Sequence, residues 1–552
     1  MKNIHANPGV KAAAAAGLLL LLMGACSGSD KPPSNSETGF MAIEPVTYEL
    51  FDSGAFKTMV TDEARIWYVY EPAAVDPDKK PLAVFFNGGP GCATLILLGF
   101  NTQRLSADRD HNGGGVIGPS PADWGGIANL LYIDARNTGF SYSLGSSADA
   151  FNNRNFNPYI DAGDFIRVIL RFLAAHKNLQ KNPVIMVGES YGGTRASVML
   201  NTILNYKRLG GGGKIYHDAG LMAEIQSHLE AVSGASPGTV FTPEAIAGQF
   251  GRQVLIQPYM LGSRQFDKSG ELMEKEGSPP YIVASDTGQT FVPCSKQQNP
   301  DCNPQDNALG FINGAGRDVY IYPERRNWLG DREQWPLAVF LSVEDHTEYM
   351  GRDPREVVDM YAITRKGAYK KKAPGQGSAG AAGLSPFLKS TMKYLKPLDS
   401  TSDPEAEFIE TFGPLRSDDQ YYMGCSNDVM GAFAAEGQEH SEDSPNIGRA
   451  FLENLLYVKT FITKAALDTV VYSPAIPEAL KVYEEVSSVA EAGGLLTITI
   501  KDGAFPGVKP GGETKMVPFP AYPESGHPVT TREPVKFYQD VKNWILEPLA
   551  KQ

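Results

Sequence analysis

Apolar residues fall in short unbroken runs at Leu82-Ala83-Val84-Phe85-Phe86, Leu130-Leu131-Tyr132-Ile133 and Val184-Ile185-Met186-Val187. Runs of this length, bounded by Asn, Asp and Gly, predict strands buried on both faces. Residues 64–70 (Ala-Arg-Ile-Trp-Tyr-Val-Tyr) and 495–500 (Leu-Leu-Thr-Ile-Thr-Ile) alternate instead, which predicts half-buried strands. Elsewhere the period lengthens to that of a helix. Residues 161–176 place Phe165, Val168, Ile169, Phe172 and Leu173 on one helical face, and 534–546 do the same with Val535, Phe537, Tyr538, Val541 and Trp544. Residues 254–261 are predicted to return to the sheet. Strands alternating with helices predict an α/β fold, with a mostly parallel central sheet covered by helices on both faces.

The periodicity also divides the chain. From 263 to 450 it is irregular, and it includes the low-complexity stretch 370–380 (Lys-Lys-Lys-Ala-Pro-Gly-Gln-Gly-Ser-Ala-Gly). This segment is expected to be a cap inserted between two parts of one core, 46–262 and 451–552. The glycine run 210–213 lacks the Lys-Ser/Thr of a phosphate loop and is expected to be a linker. At the N-terminus, Lys2 and Lys11 accompany an apolar run over 12–23, shorter than the roughly 20 residues a membrane span needs. Met23-Gly24-Ala25-Cys26 is similar to the lipobox of bacterial lipoproteins. It predicts a signal peptide over 1–25, lipid on Cys26, a flexible tether over 26–45, and export to the cell envelope, at the outer membrane or cell surface.

Composition narrows the function classes. With 42% hydrophobic and 20% charged residues in 552, the chain is an ordinary globular protein. Its formal net charge of -13 argues against nucleic acid or an anionic membrane as a partner, so the lipid is the sole expected membrane attachment. Five cysteines, with Cys26 lipidated, leave an even number for an oxidising compartment. Cys294 and Cys302 enclose a short polar loop and are expected to pair, which leaves Cys92 with Cys425. No C-x-x-C occurs and no His adjoins a cysteine, so neither a metal nor another cofactor is expected.

The candidate chemistry centres on Gly188-Glu189-Ser190-Tyr191-Gly192, which follows the 184–187 run and precedes a helical stretch. A G-x-S-x-G between strand and helix is the nucleophile elbow of α/β-hydrolases, where a strained turn presents the serine. A serine hydroxyl needs a base, and the base needs a carboxylate to fix its tautomer. In that fold the partners follow in the order Ser, Asp, His. Ser190, Asp468 and His527 have that order, and His527 lies on a Gly-containing loop just before the last predicted helix.

Asn87-Gly88-Gly89-Pro90-Gly91-Cys92, the elbow, the 129–134 strand with Gly139-Phe140-Ser141-Tyr142-Ser143, Asp468 and Ser525-Gly526-His527 together resemble the serine carboxypeptidase family. The resemblance runs from about Gly54 to the C-terminus and is weak across 263–420. It implies an α/β-hydrolase fold with Ser190 as nucleophile, His527 as base and Asp468 as its orienter. The backbone N–H groups of Gly89 and Tyr191 would form the oxyanion hole. Asn87 and Glu189 would bind the free α-carboxylate of a peptide substrate, which requires Glu189 to be protonated and implies an acidic optimum. The likeness also pairs Cys92 with a cysteine ahead of the catalytic Asp, a place Cys425 fits. Two departures stand out: Val116-Ile117-Gly118-Pro119 lacks the family's second recognition Glu, for which Asp108 or Asp110 would have to substitute, and Pro528-Val529-Thr530 replaces Met-Val-Pro. The expectation is a serine hydrolase removing C-terminal residues through an acyl-enzyme. Ester hydrolysis on the same fold and a non-catalytic peptide- or glycan-binding lipoprotein are the competing readings.

Overall fold

The computed structural model describes residues 36–265, 278–294, 427–434 and 445–546, apart from short stretches within them such as 107–117 and 209–214. Seven strands form the path of the central sheet: β1 (Glu37–Ile43), β2 (Ala64–Glu71), β3 (Leu82–Phe86), β4 (Asn129–Ile133), β5 (Val184–Glu189), β6 (Arg252–Ile256) and β7 (Lys459–Ile462). Their spatial order is β1-β2-β4-β3-β5-β6-β7, and Tyr142–Ser143 adds an eighth strand beside β2. Pairing is antiparallel at β1–β2 and β2–β4 and parallel from β4 through β7. This is the α/β-hydrolase architecture.

The period-two geometry of a strand sends alternate residues to opposite faces, which explains the continuous apolar runs. Leu82, Val84, Phe86, Val184 and Met186 enter one core with helices α1 (Pro158–Ala175), α2 (Gly192–Leu204) and α3 (Ala219–Ser233). Ala83, Phe85, Ile185 and Val187 enter the other, where Trp124 and the C-terminal helix pack. That helix, Pro534–Leu546, has the predicted bounds, but Val535 is exposed while Phe537, Val541 and Trp544 are buried.

Two boundaries move. Of the stretch expected as a tether, 26–45, Glu37–Ile43 is edge strand β1, with Tyr68 donating to Glu37 Oε1 at 2.9 Å and Thr38 donating to the Tyr68 carbonyl at 3.1 Å. The second core part begins before 451. Helix Pro445–Asn454 packs on α2, where Asn454 donates to the Ser197 carbonyl at 2.8 Å and Asn201 donates to Glu453 at 2.8 Å. Finally, Leu495–Ile500 does not join the central sheet. It is the middle of an antiparallel sheet with Val486–Ala492 and Glu513–Pro518, and that sheet is an excursion between Asp468 and His527. Of the expected cap, the hairpin Ser278–Ser285/Gly288–Cys294 and helix Asn427–Ala434 are described, and 295–426 lies outside the described residues.

A buried histidine links this packing to pH. His228 on α3 donates from Nε2 to Gln249 Oε1 of helix α4 (Pro243–Phe250) at 3.0 Å and meets the Phe250 ring edge-on. Burial pushes its pKa below the ordinary imidazole value; the bond to Gln249 opposes this and Lys177 adds to it. A depressed folded-state pKa means the unfolded chain binds the proton more readily, so stability is lost as pH falls below about 6.5. The melting temperature of the wild type is expected to fall between pH 7 and pH 5 more steeply than that of His228→Gln. Parallel curves for the two proteins would contradict this.

Candidate active site

In an open α/β sheet, groups converge outside the carboxyl ends of strands where the chain switches direction. Here the switch lies at β3 and β5. The chain leaves β3 for β4 on one side and returns to β5 on the other, so the turn after β3 and the elbow after β5 are neighbours.

Ser190 stands on that elbow with φ 57, a left-handed backbone that costs a non-glycine residue roughly 1–3 kcal/mol unless its surroundings impose it. Its surroundings do so. The Ser190 N–H donates to the Ile256 carbonyl at 2.9 Å, and its own carbonyl accepts from Gly193 N–H at 2.8 Å and Tyr259 N–H at 2.9 Å. Thr194 Oγ1 donates to the Tyr259 carbonyl at 2.9 Å. The first glycine of the motif is required by contact as well. A Cβ at Gly188 would collide with the Gly192 carbonyl oxygen and lie 2.6 Å from the Phe86 ring. Helix α2 starts at Gly192, so its positive end points at the serine.

The turn 87–92 is drawn against the elbow. A Cβ at Gly88 would sit 2.6 Å from Tyr191 N and 2.7 Å from both Glu189 O and Ser190 Cβ, so the missing side chain sets the spacing of the two segments. Asn87 shapes this turn from within: Oδ1 accepts from Gly88 N–H at 2.7 Å, and Nδ2 donates to the Ala93 carbonyl at 3.3 Å. Thr94 locks the turn to the next strand, accepting from Asn87 N–H at 3.2 Å and donating to the Ile133 carbonyl. Glu189 is wholly buried at the end of β5.

The other two groups arrive from the far end of the chain. Lys464–Ala465 pairs in parallel with Ala521–Tyr522, which brings the segments after each of them together. Asp468 follows the first and His527 the second. His527 Nδ1 lies 3.0 Å from Asp468 Oδ2, both side chains are buried, and Val471 N–H donates to Asp468 Oδ1 at 3.3 Å. A carboxylate can only accept there, so Nδ1 carries the proton and Nε2 is the basic nitrogen. Asn101 donates to the Thr530 carbonyl at 2.9 Å, tying the region beyond the glycine turn to the His527 segment.

Two features of the site carry no sequence motif. Tyr191 of the elbow packs in an apolar cluster with Tyr259, Phe433, Val471 and Phe156, and Phe433 meets the Tyr191 ring edge-on at 5.5 Å. Phe433 belongs to helix Asn427–Ala434 of the expected cap. Behind the elbow, Arg195 of α2 forms a forked pair with Asp161 of α1, at 2.8 Å from Nε and 3.2 Å from Nη2. Burial pushes the Asp161 carboxyl upward, against the charge and hydrogen bonds of Arg195 and a hydrogen bond from Tyr191. Of the expected second recognition carboxylates, Asp108 and Asp110 lie outside the described residues, as do Val116 and Ile117. Gly118–Pro119 pairs with Leu105–Ser106 as a short ribbon.

Residues 45–215 match the family model of serine carboxypeptidase. The chain is 29% identical over 163 residues to the pheromone-processing carboxypeptidase KEX1 of Phytophthora infestans, covering 27% of this chain and 25% of the relative. It is 27% identical over 164 residues to serine carboxypeptidase-like 14 of Arabidopsis thaliana, covering 29% of this chain and 36% of the relative. The matched stretch thus spans well under half the length of these relatives. Among solved structures, the chain is similar to a prohormone-processing carboxypeptidase from Saccharomyces cerevisiae, at 13% identity and a TM-score of 0.47 over 95% of this chain and 93% of that one. The similarity to serine carboxypeptidases thus lies in residues 45–215, the first part of the core.

Two expectations are corrected here. The family match opens at residue 45 and carries neither leader, Cys26 nor tether, and no helix among the described residues is long and apolar enough to cross a membrane. The membrane-anchored lipoprotein reading, drawn from Lys2, Lys11, the apolar run 12–23 and the pattern at 23–26, is withdrawn: the matched relatives give it no support, and Cys26 lies outside the described residues. The framework of two disulfides is likewise cut back. Cys92 is disulfide-bonded, whereas Cys302 and Cys425 lie outside the described residues and Cys294 is described only as the end of a strand.

Proposed function

We propose that this chain is a serine hydrolase of carboxypeptidase type, which removes C-terminal residues from peptides through an acyl-enzyme on Ser190. The observation that carries the proposal is the buried His527–Asp468 pair, delivered to the same end of the sheet as a serine held at φ 57. In the reaction, His527 Nε2 takes the Ser190 proton as Oγ attacks the scissile carbonyl. Asp468 stabilises the imidazolium that forms. The backbone N–H groups of Gly89 and Tyr191 receive the developing oxyanion, and the helix α2 dipole adds to their field. His527 then returns the proton to the leaving amine, and water releases the acyl group by the same steps.

The carboxypeptidase assignment rests on Asn87 and Glu189 and on the family match over 45–215. Glu189 is buried beside the nucleophile, where a second negative charge is costly. A substrate carboxylate is accommodated there when Glu189 is protonated and donates to it, so peptide hydrolysis is expected to be favoured on the acid side.

The direct test is incubation with a fluorophosphonate, read by intact mass. A single adduct is expected on the wild type and none on Ser190→Ala; an unmodified wild type would reject the proposal. Rates on a blocked dipeptide and its C-terminal amide then examine carboxylate recognition. The free acid is expected to be cleaved at least about 10²-fold faster, a conservative bound beside the roughly 10⁴–10⁵ by which a site built to hydrogen-bond a substrate group rejects an analogue lacking it. Equal rates would leave a serine hydrolase without exopeptidase recognition.

A further inference from the structure

We propose that Arg195 is a positioning residue for the oxyanion hole, holding the glycine turn after β3 in register with the elbow. The inference rests on the serine-hydrolase reading of the site. Arg195 lies in the first turns of α2, five residues after Ser190, and is almost completely buried. Nε and Nη2 engage both oxygens of Asp161, while Nη1 donates to the main-chain carbonyl of Asn87. The guanidinium lies 4.4 Å from the centroid of Phe165, 5.3 Å from Tyr191 and 5.8 Å from Phe86. Three elements thus meet on one planar group: α1 through Asp161, the elbow through Tyr191, and the end of β3 through Phe86 and Asn87.

The bond to Asn87 is the one that bears on the chemistry. The Asn87–Gly88 peptide is fixed at both ends, its carbonyl by Arg195 and its N–H by the Asn87 side chain. The next peptide, Gly88–Gly89, supplies the Gly89 N–H proposed to bind the oxyanion. Glycine at both positions leaves the local backbone little intrinsic preference; the Gly88 carbonyl accepts from Cys92 N–H at 3.1 Å, which closes the turn on itself but does not tie it to the elbow. Arg195 supplies that tie through a rigid fork that also grips α1, which a point-charge lysine does not reproduce. Asp161 serves to keep that buried cation paired and aimed.

The experiment compares wild type, Arg195→Lys and Asp161→Asn on an activated ester, with affinity for an aryl boronic acid as a transition-state probe and melting temperature as a control for folding. The wild type is first labelled with fluorophosphonate. A wild type that takes no label rejects the hydrolase reading and this inference with it. With labelling established, Arg195→Lys is expected to lower kcat about 10²-fold, the scale of losing one oxyanion donor, with KM nearly unchanged. Boronate affinity is expected to fall by the same factor as kcat/KM. Asp161→Asn, which retains Arg195 on the Asn87 carbonyl, is expected to stay within about tenfold of wild type, well short of that loss. Should Arg195→Lys fail to fold, the double variant Arg195→Met/Asp161→Leu removes both buried charges and is expected to show the same kcat and boronate losses in a folded protein. Labelled variants that melt lower yet keep wild-type kcat and boronate affinity overturn the positioning role, as does an equal loss in Arg195→Lys and Asp161→Asn.

Discussion

Asp468→Asn is expected to lower kcat about 10⁴-fold while the protein stays folded and Ser190 stays in place. The carboxylate accepts at 3.0 Å from His527 Nδ1 and so assigns that nitrogen the proton. An asparagine presents either an oxygen or an NH2 group there, and the NH2 group forces the opposite tautomer, in which Nε2 carries a proton and cannot take one from serine. It also removes the charge that stabilises the imidazolium in the transition state. The Val471 N–H that donates to Oδ1 donates equally well to an amide oxygen, so the fold has little reason to respond. Steady-state kcat on an ester, alongside near-ultraviolet circular dichroism, measures both halves. A decrease below tenfold, with native spectra, would remove Asp468 from the catalytic group.

Gly88→Ala tests the spacing of the two backbone segments that make up the site. The added methyl meets Tyr191 N at 2.6 Å and Glu189 O at 2.7 Å, and neither is a flexible side-chain end that can turn away. The glycine turn must therefore move off the elbow. Overpacking of this kind costs about 1–3 kcal/mol of stability, and a shift near 1 Å in catalytic geometry costs about 10²-fold in rate. A lowered melting temperature together with at least that loss in kcat/KM is the expected result. Gly248→Ala is the matched control. It lies in helix Pro243–Phe250 with nothing within 4 Å of the new methyl, so it is expected to leave activity alone and to stabilise by about 0.5–1 kcal/mol. Wild-type activity in Gly88→Ala would show that the turn and the elbow are not held at the described distance.

Several features were legible because their cause is local. A strand buried on both faces must be apolar at every position, so β3, β4 and β5 announced themselves as runs. The elbow was legible because a left-handed serine demands small neighbours on both sides. Chain order pointed to Asp468 and His527, and the structure joins them by a hydrogen bond. Other features have no local cause. Residues 37–43 read as tether, since their pairing with β2 is supplied by a strand more than twenty residues away. The strand 495–500 showed its alternation but not its sheet, because alternation reports a half-buried face and not which partner covers it. Phe433 lies far along the chain, in a segment without periodicity, and reaches the elbow only through space.

By itself, then, the sequence determined where the chain is extended, where it turns, and that a serine would stand on a strained turn behind a buried strand, since these follow from backbone sterics and burial within a few residues. Only the tertiary structure decided which carboxylate meets His527, how close Gly88 brings its turn to Tyr191, and what Arg195 holds. Those are distances between segments distant along the chain, set by how sheet and helices pack, and no short-range pattern encodes them.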